Sequence, residues 1–122
     1  MALATGVDII EVSRIEEAIA RHGDRFLERI FTPREIATCS GRPERLAGRY
    51  AVKEAVSKAL GTGIGDFRWL DIEIVHDERG KPELRLYEAA LALATELDLT
   101  EWAISLSHTE THAIGFAVAQ SR

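Results

Sequence analysis

Residues 44–60 carry the pattern that most limits how this chain can fold. Ala51, Val52, Ala55, Val56 and Ala59 recur at helical spacing, and Gly61 and Gly63 stop the run. The spacing predicts an amphipathic helix over 44–60 in which Gly48 is a minor blemish. Wound at about 3.6 residues per turn, it sets Arg49, Lys53, Glu54, Ser57 and Lys58 on the face opposite the apolar one.

Shorter elements surround that helix. Residues 3–10 read as an apolar strand interrupted by Gly6 and Asp8, and 12–20 as a helix with Val12, Ile15, Ala18 and Ile19 at helical spacing. Gly23 breaks the chain before a short helix over 25–31. Thr32, Pro33 and Glu35 then form a capping-box pattern for a helix ending near Gly41. In the second half, residues 71–75 and 82–86 predict a hairpin around the turn 76–80. An alanine- and leucine-rich helix follows over 87–97, with strands at 102–107 and 113–119. Helices gather early and strands late, which points to α+β: an antiparallel sheet packed against a long amphipathic helix and smaller helices. With 122 residues, 46% apolar and 29% charged, residues 1–122 suit one domain.

Bulk charge narrows the partners. A formal net charge of -5 argues against general electrostatic binding of nucleic acid. The lone cysteine, Cys39 in the turn-like 38–41, allows neither an intrachain disulfide nor a thiolate zinc cluster, and it is a weak nucleophile candidate. No basic, apolar leader and no membrane-length stretch are evident, so the reading is cytoplasmic, with no membrane partner.

Several residues carry possible chemistry beside a plainer role. Asp8 interrupts Val7-Asp8-Ile9-Ile10, where a carboxylate needs water, a helix to cap, or a metal ion. Glu54 and Lys58 suit an ordinary i,i+4 pair. Yet residues 42–58 hold five basic and two acidic residues, and one carboxylate among cations suits a metal-bridged polyphosphate. Gly61-Thr62-Gly63-Ile64-Gly65 is a helix stop that could also admit a phosphate, although it is no Walker loop. His108, at a strand end, is a structural histidine or a hydrogen-bond donor to a phosphate or nucleotide. The other histidines, His22, His76 and His112, show no metal-ligand spacing, and no Gly-x-Ser-x-Gly supports a hydrolase triad.

Four stretches together resemble the bacterial holo-acyl-carrier-protein synthase family. They are Gly6-Val7-Asp8-Ile9-Ile10-Glu11-Val12-Ser13-Arg14-Ile15, Arg29-Ile30-Phe31-Thr32-Pro33-Arg34-Glu35, Arg49-Tyr50-Ala51-Val52-Lys53-Glu54-Ala55-Val56-Ser57-Lys58-Ala59-Leu60-Gly61, and Ser105-Leu106-Ser107-His108-Thr109. The resemblance implies phosphopantetheinyl transfer from coenzyme A to a serine of an acyl carrier protein, in fatty acid biosynthesis. It implies Mg2+ held by Asp8 and Glu54, and a catalytic role for these two with Lys58. Coenzyme A would meet Arg49, Lys53, Ser57, Lys58, Gly61, Gly63, Pro82, His108 and Thr109. The acidic carrier would dock on Arg14, Arg25, Phe26 and Arg29. The family's sites lie between subunits of a homotrimer, so some of these residues would serve a neighbour. Two positions depart from the pattern: His112 stands where tyrosine is frequent, and Tyr50 where phenylalanine is common.

On the residues alone two other classes stay open. A small magnesium-dependent pyrophosphate hydrolase would consume coenzyme A or a nucleotide without a carrier. A noncatalytic carrier-binding module would need neither magnesium nor Asp8.

Overall fold

The computed structural model describes residues 2–122. The chain runs β1 (Leu3–Glu11), α1 (Val12–His22), α2 (Asp24–Ile30), α3 (Pro33–Cys39) and α4 (Pro43–Ala59). A 3-10 turn (Trp69–Asp71) then leads into β2 (Ile72–His76), β3 (Pro82–Leu86), α5 (Glu88–Glu96), β4 (Glu101–His108) and β5 (His112–Gln120). The architecture is α+β, but the antiparallel strands divide between two sheets. One is three-stranded in the order β1-β5-β4, and the other is the β2-β3 hairpin. Strand β1 therefore joins the C-terminal strands as an edge, with Asp8 opposite Gly115 and Gly115 opposite Leu106.

Small residues decide how the sheet meets α4. The inward positions of β5 are Ala113, Gly115, Ala117 and Ala119, all buried. A Cβ on Gly6 would collide with the Ala55 carbonyl, and one on Gly115 with the backbone of Ala51 and Val52. Both strands thus lie directly on the helix backbone, which residues with side chains could not permit. Two apolar clusters flank the helix. Val52, Ala55 and Val56 pack with Ile72, Ile74, Ala90 and Ile104, while Leu46, Ala47 and Ala51 pack with Ile15, Ile30 and Phe31.

Because α4 is packed on nearly every side, the two-faced pattern expected of it is not what forms. Arg49, Lys53 and Ser57 are buried along with the alanines, and only Lys58 of the expected polar face is exposed. Successive helix residues differ by about 100°. Residues 49 and 53 therefore face another direction than 54 and 58.

Local signals set the remaining boundaries. Gly23, at φ 55°, takes a positive-φ conformation that favours glycine and separates α1 from α2. The Thr32 side chain accepts from the Glu35 amide while the Glu35 carboxylate accepts from the Thr32 amide, and Pro33 occupies the first turn. Cys39 is the last residue of α3 and fully buried, not part of an open turn.

Candidate functional site

Asp8 is the one inward-facing polar residue of β1 between Gly6 and Ile10. The close approach at Gly6 and Gly115 brings it beside the turn of α4 that carries Glu54 and Lys58. Lys58 Nζ donates to Asp8 Oδ1 at 3.2 Å and to the Val7 carbonyl at 2.9 Å. Asp8 and Glu54 line one cleft of about 340 Å³ with Ile9, Arg14, Phe26 and Tyr50. Burial raises the Glu54 pKa above the usual carboxylate range, the Asp8 charge adds to this, and Lys58 opposes it. The same burial and both carboxylates raise the Tyr50 phenol. Residues 50, 54 and 58 are each four apart, so they form one stripe of α4.

A second cleft, of about 530 Å³, adjoins the first through Phe26 and Tyr50. It is lined by His22, Arg25, Phe26, Arg29, Ile30, Tyr50 and Trp69. The rings of Tyr50 and Trp69 stack at 4.8 Å and form its inner wall. Arg14, Arg25, Phe26 and Arg29, expected together from the sequence, therefore border two connected depressions on α1 and α2.

The remaining expected residues lie elsewhere. Arg49 is 4% exposed, and its Nη2 lies 3.3 Å from His76 Nδ1 on β2, directly across the hairpin from Pro82. Burial and the Arg49 charge lower the His76 pKa. Gly61 and Gly63 sit in the exposed loop after α4, and His108 and Thr109 are exposed at the end of β4. None of Pro82, His108 and Thr109 lines the Asp8 cleft. The Ser57 hydroxyl donates to the Glu54 carbonyl at 2.9 Å.

Lys53 does not join the site at all. Its ammonium is 0% exposed and donates to the Ile30 carbonyl at 2.7 Å, Glu35 Oε1 at 2.7 Å and the Trp69 carbonyl at 3.2 Å. An ammonium has three donors, and all three are used. Sequence reasoning placed Lys53 beside Glu54 because neighbouring residues share a segment, whereas the helix turns them apart. It also passed over Tyr50 as a lining residue, although the four-residue step to Glu54 was available as a signal. Glu35, read only as a capping residue, is the partner of Lys53.

Among the described residues, no three or more His, Cys, Asp or Glu side chains gather as a metal cluster. No helix among them is long and apolar enough to cross a membrane.

Comparison with known proteins matches residues 4–117 to the family model described as the 4'-phosphopantetheinyl transferase superfamily. The chain is 47% identical to the holo-[acyl-carrier-protein] synthase of Moorella thermoacetica, over 98% of this chain and 94% of that protein. It is 44% identical to that of Herpetosiphon aurantiacus, over 95% and 97%. Among solved structures, the Helicobacter pylori holo-[acyl-carrier-protein] synthase in complex with coenzyme A superposes with a TM-score of 0.87 at 34% identity, covering 95% of this chain and 99% of that one. The Bacillus anthracis synthase, in complex with CoA (3',5'-ADP), gives a TM-score of 0.80 at 38% identity, covering 99% and 100%.

Proposed function

This chain belongs to the 4'-phosphopantetheinyl transferase superfamily, and from that premise we propose that Asp8, Glu54 and Lys58 form its catalytic centre. The enzyme is a holo-[acyl-carrier-protein] synthase that transfers the 4'-phosphopantetheine arm of coenzyme A to a serine of apo-acyl carrier protein, releasing adenosine 3',5'-bisphosphate. The observation that carries the residue assignment is the meeting of Asp8 and Glu54, 46 positions apart in sequence, in one cleft with Lys58 beside them.

In the reaction the serine hydroxyl attacks the β-phosphorus of coenzyme A. A serine O–P bond forms, the bond to the bridging pyrophosphate oxygen breaks, and the electron pair leaves with the adenosine bisphosphate. The hydroxyl proton passes to a carboxylate. Glu54, which lines the cleft, is the carboxylate proposed to accept it. Lys58, anchored by Val7 and Asp8, presents its cation to the phosphate oxygens. Arg25 and Arg29 on α2 and Arg14 on α1 offer the acidic carrier a basic approach in an acidic molecule.

Two hard-oxygen donors whose mutual repulsion is only partly relieved by Lys58 fit a divalent ion. Asp8 and Glu54 would hold Mg2+ there, and the ion would supply neutralisation of charge on the nonbridging phosphate oxygens. Arg49, Ser57, Gly61, Gly63, Pro82, His108 and Thr109 belong to the coenzyme A surface in this reading. Pro82, His108 and Thr109 do not line the Asp8 cleft, so in this reading the site is shared between subunits. The exposed apolar side of the three-stranded sheet supports assembly, and a homotrimer is the arrangement proposed. A cytoplasmic location accords with the single, buried free thiol of Cys39.

Glu54→Gln, assayed by the mass gained by apo-carrier protein in coenzyme A and Mg2+, should lose transfer by roughly 10²–10⁴-fold. Near-normal transfer would refute the assignment. Turnover of coenzyme A without carrier would instead favour a hydrolase.

A further inference from the structure

The buried Lys53–Glu35 pair lies outside the chemistry just described, although Lys53 adjoins Glu54 in sequence. Its reach is wide. Lys53 Nζ holds the carbonyl of Ile30, the last residue of α2, and that of Trp69. Glu35 accepts from the Thr32 amide at 2.9 Å through Oε1 and from the Ile74 amide at 3.0 Å through Oε2. A second layer begins where Thr32 Oγ1 donates to Glu73 at 2.6 Å, which also accepts from Tyr87 at 2.8 Å. One ion pair thus ties α4 to the end of α2, the start of α3, β2 and the 3-10 turn.

Helix α2 has seven residues, too few to persist unaided. Its Arg25 and Arg29 project outward, so its other side must hold it. The Lys53 cation sits against its C-terminal carbonyl, where a positive charge also meets the negative end of the helix. The Phe31 ring lies 5.4 Å from Lys53 Nζ and packs edge-on against Phe26 at 6.2 Å. The Trp69 backbone carbonyl held by Lys53 belongs to the residue whose ring stacks on Tyr50, which borders both clefts. A buried ion pair adds little stability over apolar residues of the same volume, so geometry is the better account of one that joins five segments.

We infer that Lys53 is a positioning residue: paired with Glu35, its buried ammonium fixes α2 and the Trp69 turn on α4, setting the carrier-docking surface at the Asp8–Glu54 cleft. The inference rests on the reading that the carrier docks on α2. Lys53→Met alone would strand a buried carboxylate, so the variant to use is Lys53→Met/Glu35→Gln, which neutralises both partners. Its KM for apo-carrier should rise roughly tenfold, about 1.4 kcal/mol, with the KM for coenzyme A unchanged. Amide exchange over residues 25–31 should quicken more than in β5.

A rise in the coenzyme A KM instead would make Lys53 a phosphate ligand and overturn the inference. So would a smaller folded fraction with both constants and the α2 exchange unchanged. Thr32→Val, at the edge of the network, keeps the pair and should give the same split at smaller size; an absent split would count against the inference. Arg25→Ala/Arg29→Ala tests the docking surface separately. Should that variant leave the carrier KM unchanged, the docking reading falls, and exchange over residues 25–31 alone judges what Lys53 holds in place.

Discussion

At the residue scale, neighbours in sequence are given opposite work. Glu54 faces the open cleft and Lys53 the interior, because one step along a helix turns the side chain by about 100°. Glu73 shows how a buried acid is kept charged. Burial alone would raise its pKa, but bonds from Thr32 and Tyr87, with Arg34 and Lys53 nearby, bring it below the usual carboxylate range. A depressed carboxylate contributes stability that is complete above its unfolded pKa and is lost as pH falls through the folded one. Glu73→Gln should therefore melt below the native protein at neutral pH. The gap should close as pH drops through and below the ordinary carboxylate range, as followed by thermal melts against pH. Cys39 is the converse case: burial pushes its thiol up to about 11. Thiol reagents at neutral pH should label it only after unfolding, and Cys39→Ala should retain transfer, as labelling and carrier mass would show.

At the scale of elements, glycines matter more than charges. Gly6 and Gly115 let β1 and β5 rest on the α4 backbone, and that seat is what carries Asp8 to Glu54. Gly115→Ala should cost about 1–3 kcal/mol or more in chemical denaturation, because the obstacle is backbone that cannot swing aside. Transfer should weaken with it, since the sheet must lift Asp8 away. A second local device is the Thr32 cap. Thr32→Ala removes the side chain that receives the Glu35 amide, for a loss of about 0.5–2 kcal/mol by the same measurement.

At the scale of the whole molecule, the outer side of the three-stranded sheet is apolar and open. Leu3 (69% exposed), Ile9 (64%), Val7 (49%), Phe116 (43%) and Ile114 (42%) share it, with Val7 opposite Phe116 and Ile9 opposite Ile114. A contiguous patch of this kind marks an association surface. Phe116→Asp should shift sedimentation of the native protein toward the monomer and reduce transfer with it; an unchanged assembly would place the contact elsewhere. Much of the fold could be read from residue order. The strand and helix segments, the Thr32–Glu35 cap and the hairpin of 71–75 with 82–86 rest on interactions between residues near in sequence, and the motifs around Asp8 and Glu54 carried the family. What the order of residues could not decide was the facing of α4. Its pattern specifies a helix, but which side becomes solvent depends on what packs there, and here sheet, hairpin and α3 enclose most of it. Only that packing buries Lys53 on Glu35 and leaves Glu54 to Asp8, because a side chain's surroundings are set by segments distant in sequence.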